Sequence, residues 1–440
     1  MVQMLNTLFD GRTQCVRRMH SLANSIIIFD EIQSLPVKCI HIFNLTINFL
    51  SYVCGATVIL CSATQPLLDR KVQYKILLGK PPSIMRNIEE VYQNFKRVEV
   101  KNLIKADKYD ADDLTELIMK IMENSDNVLT IMNTKGAARR LYNTVKERVS
   151  RSNDNENIIM MLLTTHMCPK HRLHLINDMR DKLGKEKIIC ISTSLIEAGV
   201  DISFDNVIRS LTGLDSIAQA AGRCNRNGIG KTGTVYIINS KDEDLSKLPE
   251  IKTAQNATSL ILENYKNDPE YFKNDLFSPF TLELFYKKYF YEIRNEMNYR
   301  IRDKNTNLLD LLSDNTSGVR AYKTNNQEYP QMLLNQAFKT AGEEFEVIVN
   351  QAQSVIVPYN EEAKQLIAIL EGNSEMDAIK MALRKVQVYT VNLYQNEFII
   401  LDKLGGITAL KNVNIFVLTE GFYSNETGIT KDTNLDFLLI

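Results

Sequence analysis

The chain has 440 residues, 44% of them hydrophobic and 24% charged, with a net charge of −1. That length exceeds one compact domain and predicts two to four. The near-neutral charge excludes a global basic field, so any nucleic-acid partner must be gripped by a local channel. Seven cysteines, an odd number without C-x-x-C spacing, suit reduced buried thiols of a cytoplasmic protein better than a disulfide frame. The opening MVQMLNTLFDGRTQ has no signal-like apolar core, and the most apolar stretch, 35–60, is broken by Lys38, His41, Asn44 and Asn48. No membrane association is expected.

In chain order, Ile26–Phe29 reads as a buried strand ending in Asp30-Glu31, and residues 37–52 read as a helix. Thr57–Leu60 is a second strand, ending in Ser62-Ala63-Thr64, and a polar stretch over 80–110 reads as an interdomain connection. Residues 95–100, at the boundary of the two predicted domains, would add to the first whatever strand they contribute. Alternation then resumes: strand 128–132, helix 135–149, strand 158–163, helix 169–180, strand 188–192, strand 207–210, helix 216–222 and strand 234–238. Strands alternating with helices predict a parallel sheet covered on both faces, with functional loops at the strand C-termini. Residues 246–340 are helix-rich, and 341–440 carry strand-like runs such as VQVYTVNL, EFIIL and NIFVL. The predicted organisation is a first α/β domain over 1–95, a second over 96–245, a helical linker over 246–340 and a small α+β domain over 341–440.

Polar residues at the strand ends carry the chemistry. Asp30 directly after a strand can hold Mg²⁺, and the adjacent Glu31 can orient an attacking water; the plain alternative is an acidic pair capping the next helix. Ser62, Ala63 and Thr64 can relay hydrogen bonds to a neighbouring domain, or simply cap a helix. In TSLIEAGVD, Thr193 can bond a nucleic-acid phosphate, Gly199 permits a tight turn and Asp201 follows it. In QAAGRCNR, Gln219, Arg223 and Arg226 fall at i, i+4 and i+7, so one helix face would present all three. Two guanidiniums there fit the spreading charge of a phosphoryl-transfer transition state. A merely solvated basic face is the alternative, although Gly222 within a helix would cost about 1 kcal/mol for no gain.

These four elements, in this order and spacing, resemble motifs II, III, V and VI of superfamily 2 helicases. LANSIIIFDEIQSLP, ILCSATQPLL, LLTTHMCPKHR, STSLIEAGVDISFD and SIAQAAGRCNRNG are more narrowly similar to the CRISPR-associated helicase-nuclease of type I interference systems. The resemblance is specific over about 20–240 and looser beyond. It implies two RecA-like parallel-sheet domains, the first truncated, and an ATP-dependent 3′-to-5′ single-stranded DNA translocase recruited to a CRISPR surveillance complex. By it, Asp30 would bind Mg²⁺, Glu31 would activate water, and Gln33, Gly199, Asp201, Arg223 and Arg226 would serve ATP, with Gln219 reading the γ-phosphate beside the arginines. Asn133, Thr134, Thr165, His166 and Thr193 would track the strand's backbone, and Ser62, Ala63 and Thr64 would couple hydrolysis to movement.

No G-x-x-x-x-G-K-[ST] sequence occurs. Gly228-Ile229-Gly230-Lys231-Thr232 fails, because Asn225 stands where the first glycine belongs and the stretch precedes a strand. The family's His-Asp nuclease domain is also missing. The chain is therefore expected to be a truncated or split motor needing an N-terminal nuclease and P-loop fragment, and inactive alone. The rival function is a non-hydrolysing remnant that binds nucleic acid or the effector complex. His166, Cys168, His171 and His174 lie within nine residues, but so short a segment would struggle to close a zinc tetrahedron.

Overall fold

The computed structural model describes residues 1–431 except 95, 152–156, 198, 229–231, 332–334, 348–351, 373–374 and 411–412. The chain divides into two compact units. The first comprises Met1–Phe95, Gly213–Asp215 and Pro249–Val349; the second comprises Lys96–Thr212, Ser216–Leu248 and Asn350–Ile440. The helical region thus groups with the first predicted domain and the C-terminal region with the second.

In the first unit, β1 (Ile26–Phe29) and β2 (Thr57–Leu60) pair in parallel, Ile26 opposite Thr57 and Phe29 opposite Leu60. The connecting helix, Ile40–Tyr52, buries Ile40, Ile42, Phe43, Ile47 and Leu50. Phe29 meets Phe43 edge-on at 5.3 Å between ring centroids, which fixes the helix against the strand. The other face of β1 is open: Ile26 and Ile28 are 73% and 63% exposed. The expectation of a sheet covered on both faces does not hold for this strand, because the period of two sends Ile26 and Ile28 away from the helix that buries Phe29. The helices Pro249–Asn267 and Pro279–Ile293 are the two longest of this unit among the described residues. Ser278 accepts the Thr281 N–H and Pro279 occupies the first helical position, so the second of these helices starts where its sequence dictates.

The second unit is built on six parallel strands: β3 (Val98–Asn102), β4 (Asn127–Met132), β5 (Ile158–Leu163), β6 (Lys187–Thr193), β7 (Asn206–Ser210) and β8 (Gly233–Ile238). Their order is β3-β8-β7-β4-β6-β5. The whole of β4 is buried, as a central parallel strand must be. Residues 98–102 pair with β8, so this strand belongs to the second unit and not the first; Phe95 lies outside the described residues. The helices Ala111–Met122 and Lys135–Ser150 start on side-chain caps, Asp110 with Asp113 for the first and Thr134 for the second.

The C-terminal region carries a four-stranded sheet, with β9 (Ala352–Ile356), β10 (Thr390–Tyr394), β11 (Ile407–Leu410) and β12 (Ile415–Leu418) in the order β10-β9-β12-β11. Here EFIIL is not a strand. It lies in the helix Gln395–Lys403, whose start the Glu397 carboxylate caps by accepting the Tyr394 N–H. A short apolar run does not distinguish strand from helix, and the local cap decides it. NIFVL does form a strand, β12. Among the described residues no helix is long and apolar enough to cross a membrane. All seven cysteines are free, and burial pushes the thiols of Cys190 and Cys224 up to about 12.

Candidate functional site

In the first unit, Asp30 and Glu31 emerge at the C-terminal end of β1. Glu31 takes a left-handed backbone, φ +54°, a conformation that costs a non-glycine residue about 1 kcal/mol. Such a turn needs support, and side chains supply it. Asp30 Oδ1 accepts the Glu31 N–H at 2.9 Å, and the Gln33 amide donates to Glu31 Oε2. Gln33 Oε1 accepts from the Ser62 hydroxyl, which also lies 2.7 Å from the Thr64 carbonyl. Motifs separated by thirty residues are thus joined through one amide. Thr64 is 1% exposed, and the Tyr286 hydroxyl lies 3.3 Å from both its carbonyl and Asp215 Oδ2. Burial and the Asp215 charge hold the Tyr286 phenol well above its ordinary range, so it stays a donor. Tyr286 and Asp215 were not singled out from the sequence. Ala63 is exposed and contributes only backbone. Asp30 presents an exposed carboxylate at an open strand end, a hard oxygen donor of the kind Mg²⁺ takes alongside nucleotide phosphates.

In the second unit the polar groups gather at the C-terminal ends of β4, β6 and β7. Arg209, on β7, pairs with Glu197 at 2.8 Å, their side chains 2% and 5% exposed. Ser216 donates to Glu197 at 2.8 Å, and Arg209 donates to Ser216 at 3.1 Å and to Asn133 Oδ1 at 2.8 Å. The Asn133 amide donates to the Leu211 carbonyl and to Glu243, both at 2.8 Å. Asn133 is therefore a member of a buried network rather than an open contact. Glu197, Arg209 and Glu243 were missed in the sequence; charged residues inside apolar strand and loop runs were the available signal. Thr193 is buried at the end of β6, Thr134 caps its helix, and Thr165 is exposed. Gly199 has φ +71°, as a tight turn requires.

The single helix face expected for Gln219, Arg223 and Arg226 is not formed. The helix Leu214–Ala221 ends before Gly222, and Asn225 turns the chain left-handed at φ +45°. Gly222 sits in that turn, so the mid-helix cost argued for it does not arise. The Arg223 guanidinium is buried and donates to the carbonyls of Ile196 and Glu197, tying this turn to the loop after β6. Arg226 pairs with Asp201 at 2.8 Å in an exposed position, and Gln219 is half-buried on the helix. Of the glycine-rich stretch 228–232, residues 229–231 lie outside the described residues.

His166 is not an open backbone contact either. Its Nε2 lies 2.9 Å from Glu397 Oε1, from the helix Gln395–Lys403. His171 Nδ1 faces the Tyr423 hydroxyl at 2.9 Å and its Nε2 the Asn425 carbonyl at 3.1 Å, while its ring stacks on Tyr359 at 4.5 Å. His174 Nδ1 lies 3.1 Å from the Tyr359 hydroxyl. These rings hold the C-terminal region against the loop after β5 and the helix Pro169–Lys182.

Burial lowers the His171 pKa to about 4. The folded state keeps this ring neutral, whereas the unfolded chain protonates it below about 6.5. Stability is therefore complete above that value and falls as the pH drops toward 4. Denaturant unfolding should show the protein about 2 kcal/mol less stable at pH 5 than at pH 7 from this group. The pH 5 to pH 7 difference should shrink in His171→Gln; an unchanged difference would show that the ring titrates normally.

Residues 124–229 match the family described as CRISPR-associated nuclease/helicase Cas3, C-terminal. A CRISPR-associated nuclease/helicase Cas3 from Methanothermobacter thermautotrophicus is 28% identical over 249 residues, covering 54% of this chain and 28% of that protein. The one from Haloferax volcanii is 45% identical over 94 residues, 20% of this chain and 10% of that protein. The crystal structure of T. fusca Cas3 superposes with a TM-score of 0.62 at 12% identity, covering 95% of this chain and 53% of that one. A CRISPR RNA-guided surveillance complex in a pre-nicking state superposes at 0.55 and 11% identity, covering 97% of this chain and 58% of the matched chain. This chain spans about half the length of these solved structures and less of the two curated relatives.

Proposed function

We propose that this chain, a Cas3-like superfamily 2 helicase portion, works in an ATP-dependent single-stranded DNA translocase of CRISPR interference. The observation that carries the reading is the hydrogen-bonded join of Glu31, Gln33, Ser62 and Thr64 at two adjacent strand ends. In the first unit, Asp30 would hold Mg²⁺ and Glu31 would orient the attacking water, with Gln33 fixing the Glu31 carboxylate. Ser62 and Thr64 would pass a change at Glu31 to the Tyr286 and Asp215 pair. In the second unit, Arg226 and Gln219 would serve the nucleotide, and Arg223 would hold the loop that carries Gly199. Thr193, Thr134 and Thr165 would meet the strand's phosphates. The partner class is a guide-RNA surveillance complex, as in the matched pre-nicking assembly.

This sequence contains no P-loop. The chain alone should therefore show no nucleic-acid-stimulated ATP turnover above an Asp30→Ala, Glu31→Gln control. Supplying a P-loop-bearing helicase segment from a Cas3-like relative should produce turnover that oligodeoxythymidine stimulates. Turnover by the chain alone would overturn the first expectation. A second reading, a binding module without hydrolysis, is favoured by the burial of Arg223 among carbonyls. Binding without any turnover after the segment is supplied would select it.

A further inference from the structure

Lys135, the first residue of the Lys135–Ser150 helix, lies 2.8 Å and 3.1 Å from the two Glu397 oxygens. His166 meets the same carboxylate from the loop after β5. Glu397 has a local duty: its Oε2 accepts the Tyr394 N–H and starts the Gln395–Lys403 helix. Capping needs one oxygen, and it explains neither the lysine nor the histidine brought to Oε1 from two other segments. Desolvation opposes ionisation of Glu397, yet its two partners hold the carboxyl down at about 2, so it is an anion at neutral pH. Arg139 adds a further cation close to His166. The neighbouring Tyr394 ring lies 5.1 Å from Lys135 Nζ and is 57% exposed, a surface on which a base can stack. A lysine, a histidine and a helix N-terminus, flanked by an exposed tyrosine, suit a phosphodiester better than a lone carboxylate.

We infer that Lys135 and His166 form a phosphodiester-binding site for single-stranded DNA, and that Glu397 occupies it as an internal stand-in anion which the nucleic acid must displace. This rests on the nucleic-acid reading above and adds Lys135, Tyr394 and Glu397 to it. Such competition lowers apparent affinity by the fraction of molecules whose site is open.

The test is binding of a fluorescein-labelled oligodeoxythymidine to the full chain, followed by anisotropy at several salt concentrations. Glu397→Gln keeps the shape and the cap but not the charge, and should tighten binding about tenfold. Adding Lys135→Ala to it should reverse that gain and flatten the salt slope by about 0.7, the value for one phosphate contact on a single strand. Unchanged or weaker binding by Glu397→Gln, while the parent binds, overturns this inference and leaves the nucleic-acid reading standing. A gain that Lys135→Ala does not reverse also overturns it. Binding by neither protein removes the nucleic-acid reading and this inference with it. Should Glu397→Gln fail to fold, Lys135→Ala in the parent must flatten the salt slope by the same ~0.7, and an unchanged slope overturns the site.

Discussion

Glu197→Ala is expected to destabilise the second unit by about 3–5 kcal/mol, the usual consequence of removing one partner of a buried ion pair. The loss is large because Arg209 would keep its charge in a place where its side chain is 2% exposed. Its other contacts, to Ser216, Asn133 and the carbonyls of Ile131 and Ser210, are all neutral oxygens. The same network holds Asn133 beside Leu211 and Glu243, so the damage should spread along the ends of β4 and β7. The chain has no tryptophan, so circular dichroism under denaturant, with hydrogen exchange in Asn127–Met132 and Asn206–Ser210, is the suitable measurement. The double variant Glu197→Leu, Arg209→Met should recover most of the loss, because no buried charge then lacks its partner. A single variant as stable as the parent would show that water or a rearranged loop reaches Arg209.

Glu31→Gln, tested together with a P-loop-bearing segment, should lower the ATP turnover rate by about 10²–10⁴-fold, the range for a positioned acid–base group. KM for ATP should change little, because the carboxylate is assigned to the attacking water and not to the nucleotide. The geometry sharpens the expectation. Glu31 is held by a left-handed turn and by the Gln33 amide, and Gln33 is in turn held by Ser62. Gln33→Ala should therefore reduce turnover less than Glu31→Gln and should also weaken stimulation by DNA. Equal turnover in Glu31→Gln and the parent would remove Glu31 from the chemistry.

The sequence by itself determined where the strands end and which polar residues stand there. Asp30-Glu31 after Ile26–Phe29, Ser62 to Thr64 after Thr57–Leu60, and Thr193 closing β6 were all legible. Periods of 2 and 3.6 and the residues that cap elements act within a few positions, so local patterns carry them. Tertiary structure decided the rest. The helix Leu214–Ala221 stops before Gly222, and the Arg223 guanidinium then turns to the carbonyls of Ile196 and Glu197. No spacing rule foretells that, because the acceptors belong to another loop and desolvation selects them. EFIIL became a helix through the Tyr394–Glu397 cap, and Glu397 reached His166 across 231 residues. Tyr286 found Thr64 across 222. Long-range polar pairs satisfy groups that burial has stripped of water, and burial is a property of the folded chain.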